Sequence, residues 1–278
     1  LFVINPILNS NFNYSENSYS KAFIGIVTPT INEIGGTFSS SPPGLDINLS
    51  NGAINPSLSN TGTYTIEYNN GLCSSTSTTL TIDKIVTTIV SENVTKTYGD
   101  QDFSISAISS STGTFSFQVM DTSVASNTGT NSITITGVGS TTIIINQTGD
   151  ANFSTASMTI TLYVRKADPN IILSNIVTRT YSDPDFNLTA TSSSTGLFSF
   201  NVLDSSIASI SGNTVSIAGA GTTTIIVNQV SDVFYNAASS SLTLIVYKAD
   251  PIINFPDVTK TFGDPDFLIS ATSSSTGD

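Results

Sequence analysis

Apolar and polar residues alternate with a period of two along several short stretches of this chain. Residues Phe115–Val119 read Phe-Ser-Phe-Gln-Val, and Phe198–Val202 read Phe-Ser-Phe-Asn-Val. Successive side chains of a β-strand point to opposite faces, so this period predicts strands with one buried face. Both Phe residues and the Val of each stretch are expected to face a core.

The same pattern, read between turn-forming residues, divides residues 166–248 into seven short strands. We place them at Val177–Tyr181, Phe186–Thr191, Phe198–Leu203, Ile207–Ser211, Thr214–Ile217, Thr222–Gln229 and Ser240–Tyr247. Seven strands with turn signals about every ten residues are typical of an Ig-like sandwich.

The predicted strands belong to an internal repeat. The block Thr-Tyr-Gly-Asp-Gln-Asp-Phe ends at Phe103 and returns, slightly changed, 83 residues later at Phe186 and 81 residues after that at Phe267. Three other blocks recur in register: Ser109–Gly113 with 192–196 and 273–277, Ile143–Gln147 with 225–229, and Lys166–Pro169 with 248–251. Fixed spacing over this length indicates tandem domains, because a solenoid rung would be shorter.

The copies suggest how the chain is divided. We predict a small β-sandwich module at 1–83, Ig-like repeats at 84–165 and 166–248, and the start of a third repeat at 249–278. The first copy has one residue more near Gly129-Thr130-Asn131, opposite Gly212-Asn213, which indicates a hairpin tip. Because both ends fall inside patterned modules, we expect the chain to be cut from a longer protein.

Short junctions separate the repeats. In each Lys-Ala-Asp-Pro block the Pro fixes φ and lacks a donor, which ends the preceding strand. The predicted fold class is therefore all-β, with tandem Ig-like β-sandwich modules arranged end to end as an extended rod.

Composition narrows the function. Only 10% of residues are charged, the net charge is −12, and there is no His. Eight scattered Lys and Arg residues form no basic patch, so nucleic acid is a poor partner. Without His, the commonest general base and metal ligand are missing, and we expect no enzyme activity. No stretch is apolar for long enough to span a bilayer.

Paired aspartates are the candidate chemistry. The pairs are Asp100 and Asp102, Asp183 and Asp185, and Asp264 and Asp266. Two carboxylates this close could share Ca²⁺, with an oxygen from Asp150 or Asp232. Asp is also favoured in turns, where it accepts hydrogen bonds from nearby backbone N–H groups, and this is the preferred interpretation. We therefore expect no catalytic residue and no required cofactor.

These blocks resemble a known family. From Lys84 onward the chain resembles bacterial Ig-like repeats of the group 2 or MBG kind, found in large surface proteins of Bacteroidetes. The resemblance rests on the Gly-Asp-x-Asp-Phe block, the Val-Ala-Ser turn, the Gly-x-Gly-Thr-Thr-Thr-Ile strand and Asp150-Ala151-Asn152-Phe153. The second copy departs from the last motif, with Ser231-Asp232-Val233-Phe234-Tyr235.

The N-terminal module carries a second resemblance. Its Gly-Gly-Thr-Phe, Gly-Ala-Ile-Asn-Pro-Ser and Gly-Thr-Tyr-Thr blocks are similar to repeats of giant gliding-motility adhesins of the SprB kind. That family implies a Cys pair, but the partner position near Tyr19-Ser20 holds Ser, so Cys73 stands alone. The resemblance also implies type IX secretion and display on the outer membrane surface.

The leading functional hypothesis is a structural stalk of a surface adhesin or filament. Its partners would be neighbouring modules, and surface polysaccharide or other cell-surface proteins. A carbohydrate- or ligand-binding module, and accessory repeats of a secreted enzyme, are the alternatives.

Overall fold

The regular elements of this chain are β-strands. A computed structural model describes residues 10–71, 75–127, 130–174 and 176–276, and every regular element in those ranges is a strand. The chain separates into two compact units, 1–165 and 166–278. The predicted all-β class with repeated Ig-like sandwiches is confirmed.

The first unit begins with the small module. Its strands are β1 (Phe12–Asn13), β2 (Ser18–Ser20), β3 (Thr30–Ile31), β4 (Thr37–Ser41), β5 (Gly62–Asn69) and β6 (Ser75–Asp83). Its main sheet has the order β2-β6-β5-β4, in which β2 runs parallel to β6 and the other pairs are antiparallel. The opposite layer is reduced to the pair β1-β3 and isolated bridges through Ile54.

The first repeat completes this unit. Its strands are β7 (Ile89–Val90), β8 (Val94–Thr97), β9 (Phe103–Ser104), β10 (Ile108–Ser109), β11 (Phe115–Val119), β12 (Ala125–Asn127), β13 (Ser132–Ile135), β14 (Gly139–Gln147) and β15 (Ala156–Arg165). One sheet has the order β11-β14-β15-β8, with β8 parallel to β15. The other layer consists of β12-β13-β9 and the pair β7-β10. This is the two-layer arrangement of an Ig-like sandwich.

The second unit repeats the topology. Its strands are β16 (Ile176–Thr180), β17 (Phe186–Asn187), β18 (Phe198–Val202), β19 (Ala208–Ser211), β20 (Thr214–Ile217), β21 (Gly221–Gln229), β22 (Ala238–Tyr247), β23 (Ile253–Asn254) and β24 (Thr272–Ser273). The sheets are β16-β22-β21-β18, again with β16 parallel to β22, and β17-β20-β19. The pair β23-β24 begins the third copy.

Each complete module has its own apolar core. In the first repeat Ile143, Ile145 and Leu162 are fully buried, and Ile225 and Leu244 take equivalent places in the second. These residues alternate with exposed or half-buried residues, many of them Thr, along β14, β15, β21 and β22. The period-two pattern is therefore what positions the core.

One predicted strand differs from the structure. We expected a continuous strand at Phe186–Thr191, but β17 ends at Asn187. The N–H of Leu188 still donates to the carbonyl of Asn213, next to β20, whereas Thr191 pairs with Ile172. The segment changes partners midway, which breaks the ladder that a single strand would need.

The structure describes the predicted hairpin tip in the second copy, and only the strands on either side of it in the first. In the second copy β19 and β20 pair with Ser211 opposite Thr214, so Gly212 and Asn213 form a two-residue turn, with Gly212 at a φ of 62°. In the first copy β12 and β13 are antiparallel, and Gly129 at the tip lies outside the described residues, as does Cys73.

The module boundaries remain a prediction in detail. The division between the two units falls between Arg165 and Lys166. In the third copy, every described residue from Ala249 to Thr276 is exposed. Ile269 is 64% exposed although its counterparts Ile105 and Leu188 are buried, because residues 249–278 include no equivalents of the later strands that cover those counterparts.

Candidate functional site

A carboxylate joins two loops at one end of the first repeat. Asp150 lies in the loop between β14 and β15. Its Oδ2 accepts hydrogen bonds from the N–H and hydroxyl of Thr112 (2.8 and 3.0 Å) and the hydroxyl of Ser111 (3.0 Å). Its Oδ1 accepts the N–H groups of Asn152 and Phe153, both at 2.8 Å. Five donors therefore converge on one side chain.

The second repeat builds the same arrangement. Oδ2 of Asp232 accepts the N–H and hydroxyl of Thr195 (2.7 and 2.8 Å) and the hydroxyl of Ser194 (2.9 Å). Oδ1 accepts the N–H groups of Phe234 (2.8 Å) and Tyr235 (2.7 Å). The geometry persists although the loop residues after the Asp differ between copies. We call each arrangement, together with the buried Gln described below, the carboxylate clamp.

These donors change the acidity of the clamp. Hydrogen bonds from the backbone of Thr112, then of Asn152, hold the pKa of Asp150 far below its usual range. For Asp232, burial acts to raise the pKa, but hydrogen bonds led by that of the Thr195 backbone outweigh it, and the pKa is again far below normal. Both side chains are therefore anionic at any ordinary pH.

A buried glutamine holds the same turn from the core side. The Nε2 of Gln147 donates to the carbonyls of Ser111 (3.1 Å) and Gly113 (2.9 Å), and its Oε1 accepts the hydroxyl of Ser109 (2.6 Å). In the second repeat Gln229 donates to the equivalent carbonyls of Ser194 and Gly196. Both Gln side chains are buried, and these bonds satisfy their amide N–H groups. Among the described residues, the buried Oε1 of Gln229 has no hydrogen-bond partner, unlike that of Gln147.

Glycine lets the backbone approach closely at this turn. A Cβ on Gly113 would lie 1.7 Å from the carbonyl oxygen of Thr148, and one on Gly196 would lie 1.8 Å from that of Val230. No side chain fits at such a distance. In the first copy, four residues of the repeated Ser-Ser-Ser-Thr-Gly block contact the Gln or Asp of the clamp: Ser109, Ser111, Thr112 and Gly113.

The chain enters each repeat beside the clamp. Ile85 forms a parallel bridge with Phe153, and Ala167 with Tyr235. The Nζ of Lys84 donates to the main-chain carbonyl of Asp150 (2.6 Å). In the second repeat, the Nζ of Lys166 donates to the carbonyl of Asp232 in the same way. The junction residues are thus fastened to the module that they open.

The first aspartate of each Asp pair, a candidate for calcium binding, closes a turn. Its Oδ2 accepts the N–H of the Thr three residues earlier, and its own N–H donates to the carbonyl of that Thr. The pairs are Asp100 with Thr97 (2.9 Å), Asp183 with Thr180 (2.8 Å) and Asp264 with Thr261 (2.9 Å). This is the turn geometry that the sequence favoured.

The second aspartates, Asp102, Asp185 and Asp266, lie on the exposed surface. Asp150 and Asp232, which we considered as additional ligands, have both oxygens engaged by the clamp. Within the described ranges, no three His, Cys, Asp or Glu side chains gather closely enough to hold a metal ion.

A cation covers the aromatic residue of the same block in every copy. Lys96 lies over the ring of Phe103 at 4.8 Å, Arg179 over Phe186 at 4.2 Å and Lys260 over Phe267 at 4.8 Å. Such contacts contribute about 0.5–1 kcal/mol at exposed sites. Each contact therefore joins the residues on either side of the turn that carries the aspartates.

The sequence contained an indication of the clamp, namely a polar residue at a core-facing position of a predicted strand. Gln147 and Gln229 occupy the core-facing register of β14 and β21, after two buried residues in alternation. A polar residue at a core position in both copies indicates a buried hydrogen-bond partner.

No helix among the described residues is long and apolar enough to cross a membrane.

Comparisons with known proteins give only distant likenesses. No family model and no curated protein matches this chain. It is similar to Drosophila N-cadherin EC1-4 at 10% identity and a TM-score of 0.32, covering 87% of this chain and 76% of that one. It is similar to the protocadherin gamma B2 cadherin domains 3-6 at 14% identity and a TM-score of 0.29, covering 96% and 84%.

A third likeness is to domains 1-6 of the surface layer protein SbsC, at 14% identity and a TM-score of 0.29, covering 89% of this chain and 41% of that one. At such low identities and TM-scores, none of these likenesses bears on function.

Proposed function

We propose that this chain is a segment of a structural stalk in a large secreted surface protein, where it bears tension and projects an adhesive part. The observation that carries the proposal is the pairing of strands near the two ends of every complete module. β2 runs parallel to β6, β8 to β15, and β16 to β22.

Parallel terminal strands respond to tension in a particular way. Pulling on a module moves the two strands of this parallel pair in opposite directions along their common axis. The hydrogen bonds between them, which lie across that axis, are then loaded together in shear. An antiparallel pair pulled from one end would instead open one bond at a time. Each module is therefore built to resist extension along the chain.

The clamp supports the same function. The Lys and its neighbour at the start of each repeat are fastened to the loop that contains Asp150 or Asp232. Tension that enters a repeat is thus transferred to the β14–β15 or β21–β22 loop before it reaches the core. Repetition of this arrangement in both copies is expected of a part whose function is mechanical.

The finer assignment rests on the sequence resemblance. The stalk would belong to a Bacteroidetes adhesin exported by the type IX system and attached to the outer membrane, with a role in surface attachment or gliding. Its modules would have no enzymatic activity and require no cofactor. Its partners would be its neighbouring modules and the polysaccharide or proteins of the surfaces it meets.

Single-molecule force spectroscopy tests the mechanical proposal. The N–H of Tyr98 donates to Arg165, so by alternation the backbone of Lys96 also faces β15. Lys96→Pro removes a sheared hydrogen bond and should lower the unfolding force of the first repeat by roughly a third or more. Lys96→Ala loses the ring contact but keeps the N–H, and serves as the control.

The proposal fails if Lys96→Pro and Lys96→Ala unfold at the same force. It also fails if the unmodified repeats extend at forces no higher than those of a helical domain pulled in the same instrument.

A further inference from the structure

The outer edge of the main sheet differs among the three complete modules. This edge is formed by β4, β11 and β18. In the small module the N–H of Phe38 in β4 donates to the carbonyl of Leu49 (2.8 Å), so a loop covers the edge. In the first repeat the side-chain amide of Asn127 donates to the carbonyl of Phe117 in β11 (2.8 Å). Unprotected edges invite pairing with another strand, and each of these contacts occupies a backbone group that such pairing would use.

The second repeat lacks this protection. Ile210 takes the place of Asn127 and cannot donate. Leu203 donates its N–H to Thr224, and Val230 donates to Leu197. By alternation, the backbone groups of Phe198–Val202 that point away from β21 are those of residues 198, 200 and 202. Among the described residues, no hydrogen-bond partner is found on that side of β18.

We infer that β18 pairs with β18 of a second copy of this chain, antiparallel and centred on Phe200. This arrangement is two-fold symmetric, as most homo-oligomeric contacts are. It sets Phe200 opposite Phe200 and residue 198 opposite 202, with all of their free N–H and C=O groups facing each other. About six backbone hydrogen bonds would form.

The side chains of this edge favour a second copy as the occupant. Leu197 and Leu203 flank β18 and are 80% and 61% exposed. Pairing about Phe200 places Leu197 of one copy opposite Leu203 of the other at both ends, so each exposed Leu gains an apolar partner. The corresponding residues of the protected first repeat are Thr114 and Met120.

The absence of charge on this strand also favours a second copy as the partner. The stretch Leu197–Leu203 contains no charged residue, in a chain whose net charge is −12. A basic partner would be attracted to the acidic parts of the surface and not to this strand. Because the strand carries no charge, it does not repel a second copy of itself. The inference does not depend on the proposed stalk function, because a module of any function could associate through this edge.

Sedimentation equilibrium of the whole chain tests the inference, with concentration varied from micromolar to several hundred micromolar. We expect a reversible monomer–dimer equilibrium. Ser199→Lys with Asn201→Lys sets like charges opposite each other at the closely spaced, non-hydrogen-bonded pairs. Both side chains are exposed, so the fold should survive while dimerisation weakens about tenfold or more.

The matched control is Ser116→Lys with Gln118→Lys on the protected edge of the first repeat, which should leave dimerisation unchanged. Ile210→Asn, which copies the protection of the first repeat, should weaken the dimer as the double Lys variant does. The inference is overturned if the unmodified chain stays monomeric throughout. It is also overturned if the dimer persists unchanged in Ser199→Lys with Asn201→Lys, which would place the contact elsewhere.

Discussion

At the scale of single residues, the two clamp aspartates do most to organise the loops of the repeats. Each accepts five hydrogen bonds from donors on two loops that are far apart in sequence. A carboxylate suits this position because it is an acceptor at both oxygens. An amide of the same shape would turn an N–H group toward donors on one side, whichever way it was oriented.

We therefore expect Asp232→Asn to lower the melting temperature of the second repeat by roughly 5 °C or more, because one side of the clamp would be left facing donors. Asp185→Asn, at an exposed site, should change it by roughly 1 °C or less. Thermal unfolding followed by circular dichroism measures both. Equal effects of the two substitutions would show that the clamp contributes nothing particular.

The clamps also predict a dependence of stability on pH. The folded pKa of Asp150 and Asp232 lies below the unfolded value, which is about 3.9 for Asp. The stabilisation is therefore complete above the unfolded pKa and is lost as the pH falls through the folded pKa, since the unfolded chain takes up protons first.

Urea unfolding between pH 7 and pH 2 should show a nearly constant free energy of unfolding down to about pH 5, followed by a decline. The decline should be shallower in Asp150→Asn with Asp232→Asn. Identical slopes in the two proteins would contradict the assignment of this acid sensitivity to the clamps.

The contacts of individual residues were predictable from the sequence where the partners are close in sequence, and not where they are far apart. The turn preference of Asp located the contacts of Asp100, Asp183 and Asp264, since those bonds are local. The contacts of Asp150 span 38 residues to Thr112, and a pattern of neighbours along the chain contains no distance of that kind. The recurring Ser, Gln and Asp blocks were visible, but their meeting in space was not.

At the scale of strands and turns, the close approach at Gly113 and Gly196 decides how the turn packs on the end of the neighbouring strand. We expect Gly196→Ala to cost about 1–3 kcal/mol, as overpacking does elsewhere, because the carbonyl of Val230 would have to move. The shift of the urea midpoint, with an unchanged slope, measures this.

Gly212→Asn serves as the control. Gly212 has a φ of 62° and open space around its Cα, a conformation that Asn adopts readily. A Gly196→Ala protein as stable as Gly212→Asn would mean that the turn can relax freely.

Strand bounds were predicted correctly where each face of the strand has the same surroundings along its whole length. β18, β20 and β21 lie within a residue or two of their expected bounds because their apolar residues face one core throughout. The segment after Phe186 failed because it pairs with β20 and then with Ile172. Apolar and polar side chains still alternate along this segment, so the sequence pattern gives no sign that its strand partner changes.

At the scale of the whole molecule, one sheet order recurs in all three complete modules. The small module, expected to be a different and smaller sandwich, has the same main sheet as the repeats and a reduced opposite layer. Its sequence blocks differ from those of the repeats, so the shared arrangement follows from strand order and handedness more than from matching residues. How its residues specify that reduced layer was not predictable from turn signals alone.

The parallel pairing between an early strand and the last strand of each module also has a consequence for how the protein is made. A module whose early strand must wait for its last strand cannot complete its main sheet while the chain is still emerging. Contacts of such long range slow folding and leave apolar residues uncovered meanwhile. Folding during synthesis would then proceed in steps of one repeat, each step ending when the last strand docks.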